Sequence, residues 1–253
     1  MGKILAIGGG HIGETIADKT YPVDILSIDK EIIRLSKKDK PKLLFIPTAS
    51  SDSKSYSDII HRHFGSNLGC QVDTLYLIKG KYSLKEIEKR IFSSDIIYVG
   101  GGNTLKMMNI WRKYGMDKIL LRAYDNGTVI SGISAGAICW FRCGNSDSRK
   151  FKNQDAKLIK VTGLGMIDAL CCPHYDKEEY RKPALKTMMK KTSGIAIAMD
   201  NCTALEITEK NYRIIYSKKT ANAYKVYWKN NKYHEDKLPK DGKFRPLEEL
   251  LSK

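Results

Sequence analysis

Short apolar runs alternate with longer segments whose apolar residues recur at helical spacing over the first 200 residues or so. The apolar runs are near-continuous, which is typical of strands buried on both faces of a parallel sheet. In chain order they are KILAIG, DILSID, KLLFIP, DTLYLI, DIIYVG, TVISG, IDALCCP and GIAIAMD. The pattern therefore predicts an α/β fold with a mostly parallel, doubly wound sheet flanked by helices.

The pattern changes after about residue 206. The stretch YRIIYSKKTANAYKVYWKNNKYHED alternates apolar and polar residues around a polar turn. Such alternation predicts an antiparallel C-terminal hairpin over residues 211–235, appended to the main sheet, with a short basic tail over 236–253. Because no linker, repeat or low-complexity tract interrupts the chain, we expect one domain spanning residues 1–253.

One predicted strand leads into an unusual turn. TVISG is followed by Ser134, which has Gly132 and Gly136 on either side in the pattern G-x-S-x-G. A nucleophile held on a strained turn needs such small neighbours, and the N–H of Ala135 can then stabilise an oxyanion. A chance glycine-serine turn is the alternative, but the strand before and the helix-like segment after Ser134 favour a nucleophile.

A serine nucleophile needs a general base, and the chain has five histidines. His174 follows an apolar strand and a proline, at the sheet edge where the sites of open α/β proteins gather. His11 stands at the same edge after the first strand and is the reserve candidate. His61 and His63 are expected on the solvated face of a predicted amphipathic helix, and His234 lies in the charged C-terminal segment.

The third member of such a site is expected to be a carboxylate that orients the imidazole ring. The residue pattern alone does not choose among the acidic residues near the predicted strand ends. The candidates are Asp168, Asp176, Asp200 and Glu206.

A second loop of interest is YVGGGNTLKM, which places Gly100, Gly101, Gly102 and Asn103 between a strand and a helix. Glycines there let the backbone approach a ligand and offer N–H groups for an oxyanion hole. The alternative is a tight turn in which Asn103 or Thr104 caps the helix.

Charge bears on the substrate. The chain has 44 Lys and Arg residues against 28 Asp and Glu, a net charge of +16. This excess suggests a polyanion partner, but the lysines are spread along the chain, so we expect no specific nucleic-acid binding. A basic surface still favours an acidic substrate, with Arg181 and then Arg142 as candidate substrate-binding cations and Asn103 as a further candidate.

Other features of the sequence argue against several classes of protein. No apolar run is long enough to span a membrane, and the apolar start MGKILAIGGG is too short for a signal peptide, so a cytoplasmic protein is expected. The six cysteines are scattered without a CxxC pair, which argues against a disulfide framework or a zinc site. We expect no cofactor.

The motifs together resemble the dipeptidase E / cyanophycinase family of serine peptidases, whose fold is like that of class I glutamine amidotransferases. The resemblance covers roughly residues 1–217. It is carried by GGGNTLKM, GISAGAICW, PHYD and AMDNCTALEI, with AIGGG and LLFIPTASSDS in agreement.

The resemblance implies that Ser134 is the nucleophile, His174 the general base and Glu206 the acid. The oxyanion-hole positions of the family fall on Gly101, Gly102 and Ala135. Related amidotransferases carry cysteine at the place of Ser134, which disfavours glutaminase chemistry. The expected protein is an exopeptidase or dipeptidase-like hydrolase, a monomer or homodimer, that cleaves a short acidic peptide through an acyl-enzyme.

Two alternatives remain at this level. Gly8, Gly10 and Gly13 fit the G-x-G-x-x-G pattern of a dinucleotide-binding protein, with Asp29 further along. The segment between Gly13 and Asp29 is short and contains Pro22, which leaves little room for a crossover helix. The other alternative is a catalytically silent binding protein with the same fold.

Overall fold

A computed structural model describes residues 2–16, 19–177 and 179–253. The strands, in chain order, are β1 (Lys3–Ile7), β2 (Thr15–Ile16), β3 (Lys19–Thr20), β4 (Lys42–Ile46), β5 (Gln71–Thr74), β6 (Ile96–Val99), β7 (Val129–Ile133), β8 (Phe141–Ser146), β9 (Ile159–Thr162), β10 (Ile167–Cys172), β11 (Ile195–Met199), β12 (Thr203–Thr208), β13 (Asn211–Tyr216), β14 (Ala223–Lys229), β15 (Lys232–Lys237) and β16 (Arg245–Pro246). The helices are α1 (Leu26–Ser36), α2 (Lys54–Ile60), α3 (Leu84–Phe92), α4 (Thr104–Lys113), α5 (Met116–Asp125), α6 (Ala135–Ile138), α7 (Arg181–Lys190) and α8 (Leu247–Leu251). None of the helices within these ranges is long and apolar enough to cross a membrane.

The main sheet of the described residues has eight strands in the order β16-β13-β12-β1-β7-β6-β4-β5. Strands β1, β7, β6, β4 and β5 run parallel to one another. On the other side of β1, the sheet continues through β12, β13 and β16, each of which pairs antiparallel with the strand before it. The near-continuous apolar runs form the parallel part because helices cover both of its faces. The expected α/β fold is confirmed.

The two faces of the sheet carry separate hydrophobic cores. Along β1, Ile4 and Ala6 pack into the core under α3, α4 and α5, whereas Leu5 and Ile7 pack into the core under α1 and α2. This division follows from the two-residue repeat of a strand, which sends successive side chains to opposite faces. The doubly wound arrangement places the ends of β1, β6 and β7 at one edge.

A second sheet contains six strands among the described residues, in the order β15-β14-β11-β10-β8-β9. Its centre is parallel, and β9, β14 and β15 are antiparallel at its sides. The runs IDALCCP and GIAIAMD become β10 and β11 of this sheet. The apolar pattern predicted the strands but not their division between two sheets, because that division depends on pairing between distant segments.

Three local expectations differ from the structure. DILSID was expected to be a strand but forms the start of α1, where Ile28, Ile32 and Leu35 recur at helical spacing on the buried face. The segment 211–235 is not one hairpin, because β13 pairs with β12 in the main sheet and β14 pairs with β11 in the second sheet.

The antiparallel C-terminal hairpin is formed by β14 and β15. Asn230 and Asn231 join these strands with φ values of 50° and 59°, as a two-residue hairpin turn requires. The segment 236–253 was expected to be a short basic tail, and it contributes β16 and α8.

Candidate active site

Ser134 lies on a sharp turn between β7 and α6, with φ of 56° and ψ of −110°. Positive φ at a non-glycine residue costs about 1–3 kcal/mol and persists only where the surroundings hold it. Here the Ser134 N–H donates to the Ile7 carbonyl at 3.0 Å. A Cβ at Gly132 would overlap the Gly136 carbonyl, and a Cβ at Gly136 would overlap that of Val99. The glycines are therefore required by the close approach of this turn to β6.

His174 faces this turn from the end of β10. Its Nε2 lies 2.8 Å from Ser134 Oγ, across 40 residues of sequence. The backbone of His174 also has positive φ, at 54°, and its N–H donates to the Gly8 carbonyl at 3.0 Å. The structure thus brings together the candidate nucleophile and the candidate base.

The other ring nitrogen of His174 faces an amide instead of a carboxylate. Asn201 Oδ1 lies 2.7 Å from His174 Nδ1. If Nδ1 donates to this oxygen, Nε2 presents its lone pair to the serine hydroxyl, which is the tautomer that a general base needs. The Asn201 N–H in turn donates to Asp176 Oδ1 at 2.7 Å. His174 can therefore take a proton from Ser134 while Asn201 orients the ring.

Glu206 lies elsewhere. Its fully buried carboxylate accepts hydrogen bonds from Arg213 Nε at 2.8 Å and from Thr208, its hydrogen-bonding partners among the described residues. Burial raises the pKa of Glu206, and the hydrogen bond from Arg213 opposes that shift. Glu206 pairs with Leu5 inside the sheet, about 7 Å along the strand from the edge that carries the site. The structure therefore does not bring Glu206 to His174.

The remaining acidic candidates have other partners. Asp200 is buried beside Asn201 and accepts the Asn222 N–H at 2.9 Å. Burial is the main cause that raises the pKa of Asp200 to about 6. Asp168 lies 3.2 Å from Arg142. Of the four acidic candidates, Asp176 is the one that forms a hydrogen bond with a residue of the site, because its carboxylate accepts the Asn201 N–H.

Residues 100–103, the glycine loop, lie against the serine turn. A Cβ at Gly101 would be 3.5 Å from Ser134 Cβ. Gly102 has φ of 135°, and Ala135 is the first residue of α6, where an N–H has no partner within the helix. These three expected oxyanion-hole residues therefore lie on the two loops that meet at Ser134. Asn103 is the helix cap, because its Oδ1 accepts the Lys106 N–H at 2.9 Å.

The first glycines of the chain also belong to this site. A Cβ at Gly9 would overlap both Asn201 Oδ1 and His174 Nδ1. The glycine is therefore required by the closeness of the His174–Asn201 pair to the end of β1. The reserve candidate His11 lies nearby, with its Nδ1 2.5 Å from Glu14 and its ring stacked on Tyr21.

The structure does not support the dinucleotide alternative. A dinucleotide fold needs a helix directly after the glycines, but β2 and β3 follow them and α1 begins only at Leu26. Asp29 is buried and lies 2.8 Å from Nε2 of His63, a histidine that was expected on a solvated face. Asp29 is therefore not placed to reach a ribose.

The two candidate substrate-binding arginines have structural partners. The Arg181 side chain is 1% exposed, and its guanidinium donates to the Asn145 carbonyl at 2.8 Å. Arg142 donates to the Ser193 carbonyl at 2.7 Å and lies near Asp168, at the opposite end of β10 from His174. Neither arginine is placed by these contacts to read a substrate at Ser134.

The described residues contain no group of three His, Cys, Asp or Glu side chains that could hold a metal ion. Cys139, which follows the serine turn, is fully buried, and burial raises its pKa well above the ordinary value of a thiol. Such a cysteine is unreactive as a nucleophile. Ser134 is therefore the group at this turn that is placed for attack.

Sequence reasoning missed Asn201 and the role of Gly9. Asn201 directly follows GIAIAMD, and the strand-edge rule that selected His174 would have selected it as well. A choice restricted to carboxylates as partners of the imidazole does not include it. Gly9 belongs to a glycine run after the first strand, AIGGG, which fits both the dinucleotide alternative and the peptidase resemblance.

Comparisons with known proteins show similarity to peptidases. The sequence model described as Peptidase family S51 matches residues 4–215. The uncharacterized peptidase YgaJ of Bacillus subtilis is 36% identical over 241 residues, which cover 94% of this chain and 98% of the relative.

Two solved structures share the fold. A peptidase from an acI-B1 actinobacterium has a TM-score of 0.72 at 18% identity, covering 97% of this chain and 96% of that chain. A putative peptidase E protein from Listeria monocytogenes has a TM-score of 0.63 at 21% identity, covering 85% and 98%. Since the family match extends over most of the chain and the Bacillus relative is similar over nearly its whole length, this chain is a peptidase and belongs to peptidase family S51.

Proposed function

We propose that the chain is a serine-type exopeptidase that cleaves a short peptide through an acyl-enzyme. In this proposal Ser134 is the nucleophile, His174 the general base and Asn201 the residue that orients the imidazole. The observation that carries it is the continuous pair of hydrogen bonds at the serine turn, 2.8 Å from Ser134 to His174 and 2.7 Å from His174 to Asn201.

The first step forms the acyl-enzyme. Ser134 Oγ attacks the scissile carbonyl carbon while His174 Nε2 takes the hydroxyl proton. The negative charge that develops on the carbonyl oxygen is stabilised by backbone N–H groups of the glycine loop and of Ala135, which lie on either side of Ser134. The tetrahedral intermediate then collapses as His174 gives its proton to the leaving amine.

The second step releases the product. Water attacks the acyl-enzyme carbonyl with His174 again as the base, and Ser134 leaves with its proton restored. Asn201 keeps the ring in one orientation through both steps. An asparagine serves this purpose in Cys–His–Asn peptidases, so a neutral partner is compatible with catalysis in which the histidine changes charge.

The substrate is proposed to be acidic as well as short. The support for this is the net charge of +16, which raises the local concentration of anions around the protein. Since Arg181 and Arg142 are held by other partners, the preference should come from the overall field. It should therefore weaken as salt is added, because salt screens charges that lie more than about 10 Å apart.

The test combines hydrolysis of a dipeptide library with labelling by a fluorophosphonate probe. Ser134→Ala and His174→Ala should each lower kcat by about 10⁵-fold or more, and the double variant should be little worse because the two residues act as a unit. Losses that multiply in the double variant would contradict the assignment. A wild-type protein that neither hydrolyses peptides nor reacts with the probe would instead indicate a silent binding protein.

A further inference from the structure

The backbone N–H groups of the glycine loop differ in their partners. Three of the four donate hydrogen bonds within the protein. The pairs are Gly100 with the Ile46 carbonyl at 3.3 Å, Gly101 with Tyr56 Oη at 3.4 Å, and Asn103 with the Ala49 carbonyl at 2.9 Å. The Gly102 N–H donates to no acceptor among the described residues. One N–H of the loop is therefore left for a ligand next to Ser134.

Of these three acceptors, Tyr56 Oη is the one that belongs to a side chain. Tyr56 is placed by its helix and by the packing of its ring. It lies on α2, whose first turn is capped when the Tyr56 N–H donates to Ser53 Oγ. Its ring packs edge-on against Phe45 with 5.1 Å between centroids. A Cβ at Gly100 would be only 2.9 Å from Tyr56 Cε1, so the ring lies directly against the backbone of the loop.

The hydroxyl of Tyr56 remains protonated under ordinary conditions. Burial is the main cause that raises the pKa of Tyr56 to about 12. The oxygen therefore stays a neutral acceptor for the Gly101 N–H at any pH at which the enzyme would be assayed. No negative charge forms at this position to compete with an oxyanion.

We propose that Tyr56 is a positioning residue for the oxyanion hole: it holds the Gly101 N–H and thereby keeps the Gly102 N–H directed toward the carbonyl oxygen of the substrate. The inference rests on the proposed function, because it assumes that an oxyanion forms at Ser134. Its physical reason is the freedom of a glycine-glycine segment, whose peptide planes rotate at little steric cost unless hydrogen bonds fix them. The Tyr56 hydroxyl holds the peptide plane between Gly100 and Gly101, and the hydrogen bond of the Asn103 N–H holds the plane between Gly102 and Asn103. The plane that carries the Gly102 N–H lies between these two and is restrained from both sides.

The experiment compares Tyr56→Phe with a matched control, Tyr98→Phe. Tyr98 is a fully buried tyrosine of the same core, beside the same Phe45, and its hydroxyl has no hydrogen-bond partner among the described residues. Both substitutions remove one hydroxyl and keep the ring. The measurements are the maximal rate of inactivation by a fluorophosphonate probe, the half-saturating probe concentration, and the thermal unfolding midpoint.

Tyr56→Phe should lower the maximal inactivation rate by roughly three- to tenfold, the range for one neutral hydrogen bond. The half-saturating concentration should change less than about twofold, because the bond acts on the transition state and not on probe binding. Tyr98→Phe should react like the wild type. Unfolding midpoints show whether each variant is folded, so that a loss of rate is read only on folded protein.

Three results would overturn the inference. They are a wild-type rate in Tyr56→Phe, an equal loss in Tyr98→Phe, or a loss confined to probe binding. Failure of the proposed function looks different, because then the wild type would not react or Ser134→Ala would react as fast as the wild type.

Discussion

The 2.7 Å contact between Asn201 Oδ1 and His174 Nδ1 allows a sharp test of the site. Asn201→Ala removes the acceptor, and Asn201→Asp replaces the amide with a carboxylate of nearly the same shape. The first change should leave the ring free to rotate or to adopt the other tautomer. The second should keep the orientation of the ring and add a negative charge beside it.

The expected loss follows from the charge that His174 gains in the transition state. There the hydrogen bond from Nδ1 to Asn201 has a charged donor, and such bonds contribute about 1.5–3 kcal/mol. At 1.36 kcal/mol for each factor of ten, Asn201→Ala should lower kcat by about 10- to 150-fold. Asn201→Asp should retain most of kcat, and the acidic limb of its kcat/KM profile should move to higher pH, because a nearby carboxylate favours the protonated ring.

Glu206→Gln is the matched control. Because Glu206 pairs with Arg213 and not with His174, this change should leave kcat within about twofold but lower the unfolding midpoint, since it breaks a buried charge pair. The assay is kcat/KM across the pH range of histidine titration, together with thermal unfolding. If Glu206→Gln abolishes activity while Asn201→Ala behaves like the wild type, the assignment of Asn201 is wrong.

Two further predictions concern Gly9 and Asp200. Gly9→Ala should lower kcat by at least about tenfold, because its Cβ would push His174 and Asn201 apart. Gly65→Ala, whose Cβ would meet Val72 at an ordinary 3.5 Å, should not lower kcat in the same peptide assay, and equal losses in both variants would refute the steric argument. Asp200→Asn should stabilise the protein at neutral pH, because burial raises the pKa of Asp200 to about 6 in the folded state and its ionisation therefore opposes folding. The gain, at most about 3 kcal/mol, should be absent below about pH 4 and complete above about pH 7; a gain of equal size at all pH values in denaturant titrations would contradict it.

Local patterns were sufficient for the serine turn and for most of the strands. The small residues on either side of Ser134 are required by the steric limits of one turn, so their spacing is visible without any partner segment. His174 could be chosen because the carboxyl ends of parallel strands meet at one edge of a sheet. Both predictions depend on rules that act within a few residues of sequence or at a strand end.

Which residue contacts His174 depends on the pairing of segments that are distant in sequence. Asn201 and Glu206 lie five residues apart on one segment, and both follow or belong to apolar runs. Only the pairing of β12 with β1 decides that Glu206 lies inside the sheet, facing Arg213, while Asn201 lies at its edge. No local pattern of the sequence contains this choice, because it depends on the register between segments about 200 residues apart.

The same reason explains Arg181 and the C-terminal strands. An arginine after a candidate base looks like a solvent-exposed cation in the sequence, but the packing of α7 against β8 buries it against the Asn145 carbonyl. Alternation predicted antiparallel strands correctly, yet β13 and β14 join different sheets. The sequence by itself determined most of the strands and the position of the sharp turn at Ser134, because periodicity and turn sterics are local. The tertiary structure alone decided which side chains meet, because those contacts depend on strand order and register.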